Sequence, residues 1–189
     1  MHIRIISFLL ILISCTTNED SKSALEKQHT GEIQYVTDTF SKFGFSIKHP
    51  DTWFKHEKND SLCFYYDVNC NAKTMFCANV AITVLTSKVT TPIINYLDYY
   101  IDGYSRAYDS FKVVKTNRIT DNQCETYVSY CSFSKKGDKF VEVLAAIRLP
   151  NTKVLMLTCD DFRNNNFPDQ GRYVETFKKM FASVAPIRQ

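Results

Sequence analysis

A chain of 189 residues with 14 Phe, 11 Tyr and 44% hydrophobic residues carries enough apolar material to bury one sizeable core, which excludes disorder along its whole length. The 23 basic and 20 acidic residues are interspersed and leave a formal charge of +3. Without a basic block, a nucleic-acid groove is excluded and no nucleic-acid partner is expected.

At the start, His2 and Arg4 precede the apolar run "IISFLLILI", which ends at Ser14-Cys15. A membrane-spanning helix needs roughly 20 apolar residues. This run has the length of the apolar region of a secretory signal, which is removed on export. The tetrapeptide Leu12-Ile13-Ser14-Cys15 resembles the bacterial lipoprotein signal, an aliphatic residue followed by two further residues and the cysteine that is lipidated. A thiol can take a diacylglyceryl group as a thioether, and a small neighbour lets the peptidase approach. The resemblance implies that residues 1–14 are discarded and that the mature chain begins at Cys15, lipidated and anchored in a membrane. Each buried CH₂ of an acyl chain contributes about 0.8 kcal/mol, so several chains anchor stably. An ordinary secretory signal, or a weak membrane helix with an incidental cysteine, is the alternative.

Residues 16–37, "TTNEDSKSALEKQHTGEIQYVT", are polar. They read as a flexible tether, 15–37 with the anchor residue, spanning roughly 25 Å end to end as a coil. No internal repeat follows, so one domain is expected over 38–189. It opens with "GFSIKHPDTWF", where Phe45, Ile47 and His49 alternate with polar residues until Pro50 breaks the strand. "SLCFYYDV" and "FCANVAITVLT" follow as strands flanking a polar loop.

Thr91-Pro92 predicts a helix start with a hydroxyl cap. Over 92–109, Ile93, Leu97, Tyr100, Ile101, Tyr104 and Tyr108 recur at spacings of three and four and form one apolar face. Asp102 and Arg106 lie off it. The tyrosine stripe reads as packing with its hydroxyls at the rim, or as a recognition surface. Four extended segments follow: "FKVVKTNRIT", "CETYVSYCSFS", "KFVEVLAAIRL" and "TKVLMLTCDDF". Short links make the last three antiparallel neighbours. A second amphipathic helix over 172–184 closes the chain. The order gives an α+β fold, an antiparallel sheet covered by helices.

The strings "GFSIKHPDTWF", "NVAITV", "LPNTKVLMLTC" and "FKKMFASVAP", in this order over about residues 40–187, resemble the PsbP-like family, named for an extrinsic subunit of photosystem II. Phe45, Pro50 and Trp53 carry the signature of its opening. Pro50 stops the strand, and Trp53 can lay a large ring over the sheet edge. The resemblance implies an α-β-α sandwich with a central antiparallel sheet and a binding or assembly role without catalysis. The lipoprotein-like leader shifts that role from photosynthesis to a tethered place in the bacterial cell envelope.

Beyond Cys15, six cysteines remain: Cys63, Cys70, Cys77, Cys124, Cys131 and Cys159. Export permits disulfides. A hairpin centred on Cys70 would set Cys63 opposite Cys77, close enough to bond; unpaired, partly buried thiols are the alternative. Cys124 and Cys131 are an odd number apart and should point to opposite faces of one strand. Zinc would want closer cysteine pairs with histidines, so no metal is expected. His49, His56 and Cys63 read as satisfied or exposed residues rather than ligands, and Asp160-Asp161 as a solvated strand end rather than a hard-cation site. No G-x-S-x-G elbow or phosphate-binding glycine loop is present, and no cofactor is expected.

These observations predict a lipid-anchored envelope protein acting by contact with an envelope or secreted protein in assembly, maintenance or protection of an envelope component, and not an enzyme. Two other readings stay open: an immunity protein against a secreted toxin, and a small-molecule or metal carrier with a pocket between sheet and helix.

Overall fold

A computed structural model of the chain describes residues 33–59, 62–67, 78–87, 90–119, 124–135, 138–150, 152–162 and 173–187. Cys15, the leader, most of the expected tether, Cys70 and Cys77 lie outside them. The chain runs through β1 (Tyr35–Phe40), β2 (Phe45–Pro50), β3 (Trp53–Asn59), β4 (Leu62–Asp67) and β5 (Asn79–Thr86) to helix α1 (Ile94–Ala107). It continues through β6 (Asp109–Ile119), β7 (Glu125–Lys135), β8 (Asp138–Arg148) and β9 (Lys153–Phe162) to α2 (Val174–Ala182) and β10 (Ala185–Pro186). All strand pairs are antiparallel, in a three-stranded sheet β1-β2-β10 and a seven-stranded sheet β3-β4-β5-β9-β8-β7-β6. The expected α+β sandwich is the fold observed.

The large sheet is covered on both faces. Val141, Val143, Ala145 and Ile147 of β8 join Leu155 and Leu157 of β9 and Phe177, Met180 and Phe181 of α2 in one core. Leu144 and Ala146, on the alternate face, join Val154, Met156 and Cys131 under Ile93 and Leu97 at the N-terminal end of α1. Period-two alternation explains the division. Each fully buried Phe, Leu or Ile contributes about 1.5–3 kcal/mol, so the two cores together hold the sandwich shut.

The small sheet extends the α2 side. Phe40 and Phe45 stack with centroids 4.9 Å apart across the β1–β2 turn, which closes through Gly44 at φ 79°. That left-handed conformation is where glycine is least strained. β1 begins at Tyr35, inside the segment expected to be tether, because Tyr35 to Phe40 find ladder partners along β2. Trp53 starts β3 and is buried, edge-on to Tyr173 at 5.7 Å and to Phe177 at 6.1 Å. It therefore docks α2 against the sheet margin, the plug anticipated from its size.

The start of α1 differs from expectation. Its N-cap is Ile93, without a side-chain cap, and Thr91 instead offers its carbonyl to Arg148 Nη2 at 2.5 Å. Arg148 also reaches Ser87 Oγ at 3.3 Å and Glu125 Oε2 at 3.3 Å, while the Tyr96 hydroxyl donates to Ser87 Oγ at 3.0 Å. One guanidinium thus ties β7 and β8 to the loop before α1, which a hydroxyl cap would have held less broadly.

Candidate functional site

Under the C-terminal half of α1 the sheet carries a polar row. The register aligns Cys131 of β7 with Glu142 of β8, and Glu142 with Asp160 of β9. Asn79 of β5 stands opposite Asp160 in turn. Alternation directs Glu142 to the face it shares with Leu144 and Ala146, so its carboxyl lies beneath α1. Tyr104 of the helix and Tyr108 at its C-cap cover it. Tyr108 stacks on Phe133 with centroids 4.3 Å apart, and Phe133 stacks on Phe140 at 5.1 Å.

Glu142 is 0% exposed. Among the described residues neither of its oxygens meets a partner at hydrogen-bond geometry, although the Asp160 carboxyl and the Tyr104 hydroxyl lie close enough to act on it. An ionised carboxylate there would lose its hydration without a paired cation. Burial pushes the Glu142 carboxyl well above the usual range, and the neighbouring negative charge of Asp160 pushes it further in the same direction. The protonated acid is the form this site accommodates.

The other groups are pushed the same way. Burial raises the Tyr108 hydroxyl to about 12 and, with the nearby carboxyls, raises Tyr104 well above the ordinary phenol. Burial also pushes the Cys131 thiol to about 12. Every perturbed group of this row is thereby held in its neutral, least nucleophilic form.

The expected site residues fall elsewhere. Phe45 and Trp53 lie in the core, and Pro50 ends β2 as a buried residue. The β4–β5 register sets Cys63 opposite Ile82, so the ladder is not the one that would place Cys77 directly across from it, and Cys77 itself lies outside the described residues. Cys124 joins the α2-side core and Cys131 the α1-side core, on opposite faces as expected. His49 is buried, with Nδ1 2.8 Å from the Pro50 carbonyl oxygen and Nε2 3.6 Å from Asp38, while Lys55 Nζ approaches the same carboxylate oxygen at 3.5 Å. His56 is exposed on edge strand β3.

Asp160 is not the solvated strand end the sequence suggested; it is half-buried and faces Glu142 across the ladder. Among the described residues no group of three or more His, Cys, Asp or Glu is placed to hold a metal ion. None of the described helices is long and apolar enough to cross a membrane.

A covered antiparallel sheet with one helix on each face and a small sheet beside the second helix defines the Mog1/PsbP-like fold. The Ran-binding protein Mog1p of Saccharomyces cerevisiae superposes with a TM-score of 0.62 at 8% identity, over 82% of this chain and 97% of that one. The cyanobacterial PsbP of Synechocystis sp. PCC 6803 gives 0.60 at 9% identity, over 84% and 95%. LpqN of Mycobacterium tuberculosis, a protein involved in cell envelope biogenesis, gives 0.57 at 13% identity, over 85% and 88%. At these identities the likeness establishes the fold alone. No sequence family matches the chain, and no curated protein matches it by sequence.

Proposed function

We propose that the chain is a lipid-anchored protein of the bacterial cell envelope that acts by protein-protein contact, without catalysis, in assembly, maintenance or protection of an envelope component. The observation that carries this reading is the junction at Cys15, where a short apolar run gives way to a polar stretch ahead of a folded domain. LpqN, with its part in envelope biogenesis, has the same fold, which supports an envelope setting. The raised Cys131 thiol and the raised Tyr104 and Tyr108 phenols disfavour these three groups as nucleophiles.

Both faces of the central strands are buried, so contact falls to the flanks rather than to the middle of the sheet. Edge strand β6 exposes Val113 and Val114, the latter 70% exposed, between Lys112 and Lys115. Aliphatic surface framed by cations suits an acidic partner segment.

The test is membrane fractionation of Cys15→Ser together with in-cell cross-linking of the wild type and of Val114→Glu. Lipidation requires that Cys15→Ser leave the membrane fraction or accumulate unprocessed. Contact through β6 requires that Val114→Glu lose its cross-linked partner while remaining folded. Unchanged fractionation of Cys15→Ser sinks the anchor, and an unchanged cross-link pattern sinks the surface.

A further inference from the structure

We infer that Glu142, facing Asp160, is a proton-controlled latch, in which the protonated Glu142 carboxyl holds the C-terminal half of α1 against the sheet and loss of its proton releases that half about Gly103. Three separate features converge on it. Glu142 is fully buried, neither of its oxygens meets a partner at hydrogen-bond geometry among the described residues, and Asp160 faces it from the next strand. The cover over the pair is contributed by Tyr104, the residue after Gly103, and by Tyr108 at the C-cap of α1. Gly103 itself is exposed, and a Cβ placed there would meet nothing within 4 Å, so packing does not require glycine in mid-helix. Glycine is the poorest helix former short of proline, and here it weakens α1 where the half over the carboxyls begins.

The groups facing Glu142 are known from each side. Tyr104 faces it from α1 and Tyr108 from the C-cap of that helix, Cys131 from β7 and Asp160 from β9, while Thr158 of β9 partners the Tyr104 hydroxyl. Asp102 and Arg106 pair with each other on the solvent side of the helix. No cation among the described residues faces the carboxyl, so within them ionisation of Glu142 sets a second negative charge beside Asp160 without compensation. The closed arrangement holds its proton more tightly than the open one, and rising pH therefore shifts the population toward opening. N-terminal to the hinge, Ile93 and Leu97 are anchored in apolar core and have no reason to respond.

Amide hydrogen exchange of the full folded domain, corrected for the intrinsic effect of pH on exchange, tests the latch. Between pH 5.5 and 8.5, amides 104–108 are expected to lose at least about tenfold protection, while amides 97–101 lose far less. Glu142→Gln should abolish that step, Asp160→Asn should shrink it, and Gly103→Ala should move it to higher pH. A step that persists in Glu142→Gln, or loss of protection by 97–101 and 104–108 together, overturns the proposal. Should Glu142→Gln fail to fold, Asp160→Asn decides: an undiminished step in that variant overturns it equally.

Discussion

Glu142 and Asp160 stand opposite each other on adjacent strands near the centre of the seven-stranded sheet, and the first of them is wholly buried beneath Tyr104. Two carboxyls in that position cannot both ionise without cost, and among the described residues no cation faces them. The relationship sets the acid-base behaviour expected of the whole domain.

Its direction follows from linkage. The folded Glu142 carboxyl sits well above its unfolded value, so the native state retains a proton that the unfolded chain releases. Its contribution is fully present below the unfolded carboxylate value of about 4.3 and declines above it, by up to about 1.4 kcal/mol per pH unit, until the folded group itself ionises. Glu142→Gln is neutral at every pH and should be more stable than the wild type at pH 8, with the difference narrowing toward pH 4.5. Urea denaturation at several pH values measures this, and a variant that parallels the wild type throughout contradicts it.

The Cys131 thiol, pushed up to about 12, is expected to be inert in the native protein. At pH 8 about one molecule in ten thousand carries the thiolate. Iodoacetamide should therefore label Cys131 far more slowly in the native protein than after denaturation, as read by peptide mass spectrometry. Rapid native labelling would mean that the α1 cover opens freely.

Trp53→Ala should cost about 3–5 kcal/mol, since it removes a buried ring that meets both Tyr173 and Phe177. Trp53→Phe should cost less. Because this is the single tryptophan, wild-type fluorescence should be blue-shifted when folded and shift red in denaturant, reporting directly on the docking of α2.

Arg148→Met is expected to lose roughly 1.5–3 kcal/mol, the worth of a charged hydrogen bond whose acceptors are then stranded. The loss should be local as well as global. Amides around Ser87 and Ile93 should exchange faster, because Arg148 holds both Ser87 and the Thr91 carbonyl. A loss of stability without faster exchange there would separate the clamp from the helix start.

The strands β6 to β9 and both helices were legible because long alternating or helical periods met short links. β1 was not, since "YVTDTF" mixes Val36 and Phe40 with polar residues and only its ladder with β2 makes it a strand. β3 was hidden likewise, as "WFKHEKN" follows a proline turn and is rich in charge. The acid pair was missed for a different reason. In "FVEVLAAIRL" a lone glutamate reads as the solvent-facing partner of Val141 and Val143. The better signal was the run itself: with Leu144, Ala145, Ala146 and Ile147 apolar without alternation, both faces had to be covered, and Glu142 with them. Cys63 illustrates the remaining gap, because a register depends on the partner strand and not on the turn that sequence suggests.

Strand β2 lies between β1 and β10, and the Lys48 amide donates to Ser183 Oγ 2.8 Å away across 135 positions of chain. Such pairing brings together segments made early and late in synthesis. The large sheet can grow through the sequential hairpins from β6 to β9, but the small sheet must wait until residues 185–186 arrive. Closure over that span is entropically the most demanding step of the topology. The last strand thus acts as a completion check: a chain halted before α2 leaves Phe45 and Ile47 uncovered, and that exposed apolar surface is what quality-control machinery recognises.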